Sequence, residues 1–126
     1  MTLNTSLSIN KDMLQITGDK LRGHLETLVL SSLEQGVAHG LEIVKRVDAA
    51  GSGALKLKEG SLYPALYRME QAGFVKGQWE GEGSGRRGAR RRLYRLTTKG
   101  KRQLNQGRQE WTEFVTVMSG LLGAPT

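Results

Sequence analysis

The sequence predicts a mainly α fold with one small β-hairpin, in a single domain of 126 residues. Three observations carry that expectation. Leucine, isoleucine and valine recur at helical spacing in three stretches and again near the C-terminus. Glycines such as Gly36, Gly51 and Gly73 stand where that periodicity stops. Two strand-like runs flank a glycine-rich segment between residues 81 and 88.

Each element follows in order. Residues 1–18 are polar with scattered apolar side chains, and an N-terminal arm is expected there. Asp19 can cap a first helix in which Leu21, Leu25, Leu28, Val29 and Leu33 share a face, with Gly36 as its stop. A second helix covers about 40–50, with Leu41, Ile43, Val44 and Val47 inward and Glu42, Lys45, Arg46 and Asp48 outward. Leu55, Lys56 and Leu57 alternate as a short strand would. Ser61 is a suitable N-cap for a third helix, Pro64 then falls in its first turn, and Leu62, Leu66 and Met69 line one side. Residues 74–80 and 90–96 read as the two strands of the hairpin, and Thr97 caps a last helix over 98–122. Helix, helix, short strand, helix, hairpin, long helix is the order of a winged helix-turn-helix. Residues 19–97 are therefore expected to form a DNA-binding domain, and residues 98–126 a C-terminal dimerisation helix.

The charge pattern agrees. Residues 76–102 hold ten basic side chains and two acids, a net +8, while the rest of the chain holds nine bases and ten acids. The excess falls on the hairpin, where such a fold carries its wing, and on the first turns of the helix after it, and a concentrated basic patch suits a polyanion.

Other classes find little support. With no cysteine and two separated histidines, His24 and His39, no disulfide, thiolate or metal site is expected. Gly83, Gly85 and Gly88 fit a GxGxxG spacing, but an arginine-rich strand follows where a dinucleotide site needs a helix N-terminus. No catalytic residue and no cofactor is nominated, so the chain is not expected to be an enzyme. No apolar run reaches the roughly 18 residues of a membrane span, and residues 1–18 do not read as a secretory signal. A cytoplasmic protein is expected.

Four stretches resemble the PadR family of bacterial transcriptional regulators. They are Leu21-Arg22-Gly23-His24-Leu25-Glu26-Thr27-Leu28, Gly40-Leu41-Glu42-Ile43, Gly60-Ser61-Leu62-Tyr63-Pro64-Ala65-Leu66 and Tyr94-Arg95-Leu96-Thr97-Thr98-Lys99-Gly100. The similarity spans about residues 19–122, and the single helix after the wing is similar to the family's short form. The resemblance implies a homodimeric repressor whose last helix pairs the subunits, in some members released by a small aromatic effector. His39 stands where the family often has tyrosine, and the wing tip is unusually rich in glycine and arginine.

The candidate residues follow. With Leu62, Leu66 and Met69 buried, Ser61, Tyr63, Pro64, Tyr67 and Arg68 face outward, hydroxyls toward phosphates and Arg68 toward a guanine edge of a duplex operator. His39 stands at a helix mouth that can meet a phosphate. Arg86, Arg87, Arg90, Arg91 and Arg92 are expected to follow the phosphate backbone or a minor groove. An RNA-binding accessory module using the same hairpin is the alternative, although RNA readers stack bases on exposed aromatics, which are few here. Leu104, Trp111, Phe114, Val115, Met118 and Leu122 form an apolar stripe expected at a dimer interface. Trp111 and Val115 are also candidates for stacking an aromatic effector.

Overall fold

The computed structural model describes residues 23–81 and 90–123. The N-terminal arm, the Asp19 cap and the wing tip with Arg86 and Arg87 lie outside the described residues. Helix α1 (Leu25–Ser32) runs into a 3-10 turn (Leu33–Gln35), followed by strand β1 (Ala38–His39) and helix α2 (Gly40–Ala50). Helix α3 (Glu59–Gln71), strands β2 (Val75–Trp79) and β3 (Arg92–Leu96), and helix α4 (Thr98–Leu122) complete the chain. This is the expected fold class, mainly α with a small β-hairpin in a winged-helix arrangement, and the antiparallel sheet has the order β1-β3-β2.

The core sits between α1, α2, α3 and the sheet. Val29, Leu30 and Leu33 meet Ile43, Val47, Leu62, Leu66 and Met69, with Val75 and Tyr94 closing the sheet side. Val75 faces Leu96 across the hairpin and Gly77 faces Tyr94, so one face of the wing's root packs inward. Burial raises the pKa of the Tyr94 hydroxyl.

Several local expectations are corrected. Leu55 and Leu57 are buried, but the segment has no partner strand and forms no ladder. The third strand is instead β1, a two-residue piece pairing Ala38 with Tyr94 and His39 with Leu93. Helix α3 starts two residues before Ser61, with Lys58 at its N-cap and no side-chain cap bond. Pro64 therefore lies inside the helix, not in its first turn, and leaves the Gly60 carbonyl without its usual amide donor. Leu41 is half exposed rather than inward. Arg46 is the opposite case. Its side chain is only 15% exposed, because its guanidinium donates to the carbonyls of Ser32 and Gly36, and to Val37, capping the end of the first helical unit.

The joint between α3 and α4 is tightly built. Gly73, at φ +85°, ends α3 with its amide on Glu70 O, and the Phe74 amide reaches Met69 O, a Schellman stop. Thr97 Oγ1 accepts the Gly100 amide, as expected of the cap, and donates back to Gly73 O at 2.6 Å. Leu104 is fully buried in the core of its own chain. Its placement in a dimer interface is corrected, and the first two turns of α4 are part of the winged-helix core. Further along, a methyl on Gly107 would overlap Thr27, so α1 and α4 cross closely there. Arg108 holds Glu34 with two hydrogen bonds and Ser31 with a third. The hydrogen bond from Arg108 holds the Glu34 carboxyl below the usual carboxylate range. Its small contribution is present above the ordinary carboxylate pKa and is lost as pH falls through the lowered value.

Candidate nucleic-acid interface

Helix α3 buries Leu62, Ala65, Leu66 and Met69 on one face. Ser61, Tyr63, Pro64, Tyr67 and Arg68 are all exposed on the other, as the periodicity predicts. Tyr67 is the more open of the two tyrosines, 66% exposed. Tyr63 lies over the first turn of α2, so close that a methyl on Gly40 would overlap its hydroxyl. The absence of a side chain at Gly40 lets α3 seat against α2, and this seat fixes where the outward face points. Arg68 Nε meets Glu26 Oε2 on α1 at 3.3 Å, both side chains well solvated. Such a pair is weak and easily exchanged for another acceptor.

At the mouth of α2, His39 is the N-cap. Its Nδ1 accepts the Glu42 amide at 3.3 Å, and its Nε2 meets Arg91 Nη1 at 2.8 Å. The expected phosphate-facing histidine is thus occupied by cap and wing.

The wing root separates the arginines that the sequence groups together. Arg91 is held by Glu80, which takes its guanidinium at 3.1 Å and its backbone amide with the other oxygen. Arg92 meets Glu70 at 2.7 Å and lies 5.2 Å from the Trp79 ring centre. Arg90 is exposed, 6.0 Å from the same ring, with one long hydrogen bond to Glu80 O. The outer face of the hairpin carries two further cations of the basic patch. Lys76 and Arg95 stand directly opposite each other in the ladder, both exposed, and no ion pair engages either among the described residues. Like charges in that relation repel. The period-2 alternation of the two strands was the signal that could have found them.

On α4, Trp111 and Phe114 are half exposed and stacked at 5.9 Å, with the His24 ring edge-on to Trp111 at 5.2 Å. Val115 is half-buried, Met118 is at the margin of exposure, and Leu121 and Leu122 are 76% and 72% exposed. With Val117 they make a continuous apolar face along the outer half of the helix. Among the described residues no group of His, Cys, Asp and Glu is arranged to hold a metal ion, and no helix is long and apolar enough to cross a membrane.

Comparison with known proteins places this arrangement. Residues 29–106 match the model of the transcriptional regulator PadR-like family. A transcriptional regulator from Clostridium thermocellum superposes with a TM-score of 0.73 at 31% identity, covering 82% of this chain and 97% of that one. A PadR family transcription regulator from Clostridium difficile gives 0.67 at 38% identity, covering 79% and 99%. An uncharacterised protein from Lysinibacillus sphaericus is 28% identical over 103 residues, covering 82% of this chain and 92% of its own.

Proposed function

The chain belongs to the PadR-like family and is a DNA-binding transcriptional regulator, and from that premise we propose that it is a homodimeric repressor reading a two-fold duplex operator. The observation that carries this reading is the open face of α3, which exposes Tyr67 and Arg68, in a chain whose wing root also exposes the cations Lys76, Arg90 and Arg95. A helix face of hydroxyls and one guanidinium suits base edges and phosphates in a major groove. Ser61, Tyr63 and Pro64 shape its leading end. The wing supplies backbone attraction through Arg86, Arg87 and Arg90, with Lys76 and Arg95 along its outer face. Arg91 and Arg92 serve the wing's internal structure. His39 caps α2 and carries Arg91, and the amides of that helix end lie close by for a phosphate.

Repression needs nothing further than occupancy: a dimer seated on a promoter excludes polymerase. DNA fragments captured by the chain from its genome should be duplex and carry inverted half-sites roughly 34–36 Å apart. Single strands or RNA should compete poorly. A reporter behind such a fragment should rise in expression when the chain is deleted; a fall would make the protein an activator.

The division of labour gives a sharper test. Changing Arg86 and Arg87 to alanine should weaken binding to every duplex and lower the salt slope by about one per lost phosphate contact. Arg68→Ala should instead cost about 1–3 kcal/mol at one base pair and little elsewhere. A wing variant that kept its salt slope but lost sequence preference would reverse the two roles.

The Trp111–Phe114 stack supports an effector site between paired α4 helices, where Trp111 and Val115 would take a flat aromatic ring. With Trp79→Phe as background, Trp111 fluorescence should respond to planar aromatics, and operator affinity should fall several-fold with the same midpoint. Quenching with unchanged operator affinity would leave Trp111 as interface core alone.

A further inference from the structure

We propose that Glu70 is a positioning residue for DNA binding: it clamps the wing to the recognition helix α3, so that both reach the duplex as one rigid unit. The inference rests on the reading above, that the wing touches DNA.

Glu70 lies in the last turn of α3 and reaches both strands of the hairpin. Its Oε2 accepts from Arg92 Nη2 on β3 at 2.7 Å and from the Gly77 amide on β2 at 3.3 Å. Both charged side chains are largely shielded, at 29% and 27% exposure for Arg92 and Glu70. A charge-assisted bond of that length and shielding is stronger than a solvated surface pair.

Gly77 makes the geometry possible. A methyl there would stand 2.6–2.9 Å from the Arg92 Nε, Nη2 and Cζ atoms, in the space the guanidinium crosses to reach Glu70. The Trp79 ring supports that guanidinium from the same strand. Apart from the packing of Val75 and Tyr94 in the core, the strand ladder ties the wing to the body through only the two residues of β1. A carboxylate on a DNA-reading helix is also unfavourable beside phosphates unless it is neutralised. Arg92 neutralises it, which removes that arginine from phosphate contact and gives it an orienting task.

The test is a double-mutant cycle on the full chain, read with a duplex selected by the wild type from a random-sequence pool. Glu70→Ala should weaken binding about tenfold and lower the salt slope. Combined with the Arg86→Ala, Arg87→Ala pair, it should add little, because an untethered wing has already lost most of its contribution. Glu70→Gln, which keeps an oxygen for the Gly77 amide, should lose less and serves if the alanine variant folds poorly. Gly77→Ala separates positioning from folding. Alanine suits a strand better than glycine, which offsets part of the lost Arg92–Glu70 bond, so the melting temperature should fall less than in Glu70→Ala while affinity falls as far. Additive losses in the cycle, or full affinity in Gly77→Ala, would overturn the clamp while leaving the wing's role intact. If the Arg86, Arg87 pair had no effect in the wild-type background, the wing's role itself would fail, and the clamp with it.

Discussion

Glutamate at both Val115 and Met118 should leave the chain monomeric in sedimentation at micromolar concentration and cut operator affinity by about 10²–10⁴-fold. Two half-sites held by one dimer gain from effective concentration, and a monomer loses that gain without any change in its own contacts. The cause lies in the outer half of α4, where Trp111, Phe114, Val117, Leu121 and Leu122 are exposed in one run. A second helix against that face would bury it, and two new carboxylates there would be buried without partners. Val115 is itself half-buried, so Leu121→Glu with Leu122→Lys provides the cleaner companion. These two are about three-quarters exposed, and their replacement should leave folding unchanged. A monomeric wild type would remove the premise.

Gly100→Ala should be the most damaging glycine-to-alanine change among the described residues, costing about 3 kcal/mol and lowering Tm by roughly 10 °C. The added carbon would run into the Phe74 carbonyl and stand 2.9 Å from Leu96 Cδ1. A flexible side chain could move aside, but this is backbone, locked by the Schellman stop and by Thr97 on Gly73 and Phe74. Gly60→Ala is the matching control, since a methyl there meets nothing within 4 Å. It should raise stability by about 0.4–1 kcal/mol. Thermal melts of the two variants at equal concentration decide the point. A mild effect at Gly100 would mean that α3 and α4 can separate at their joint.

The helices and the hairpin were legible because their signals are local. Helical spacing, the Thr97 cap and the Gly73 stop each act within a few residues of themselves. The outward face of α3 was legible for the same reason. What escaped depends on distant partners. A two-residue strand such as Ala38–His39 has no periodicity of its own and exists because Tyr94 and Leu93 lie beside it. Leu55 and Leu57 alternate correctly, yet no strand comes to meet them. The apolar stripe of α4 is continuous in sequence, but its first member, Leu104, is covered by the chain's own core. The arginines show the same limit. Arg68, Arg91 and Arg92 read alike as cations facing DNA, and only the fold brings Glu26, Glu80 and Glu70 to them.

Lys76 and Arg95, facing each other across the outer wing, link folding to occupancy. Their repulsion belongs to the folded, unliganded wing and is relieved by a polyanion along the hairpin, so such a ligand favours the folded wing over an unfolded chain in which the two cations are not held face to face. By mass action such a ligand raises the melting temperature whatever its sequence. Heparin, RNA and random duplex should therefore all stabilise the protein, and added salt should soften the repulsion in their absence. Stabilisation by itself reports charge neutralisation. The operator is the duplex whose stabilisation exceeds that of a scrambled duplex of equal length at the same ionic strength, and the excess measures what α3 reads.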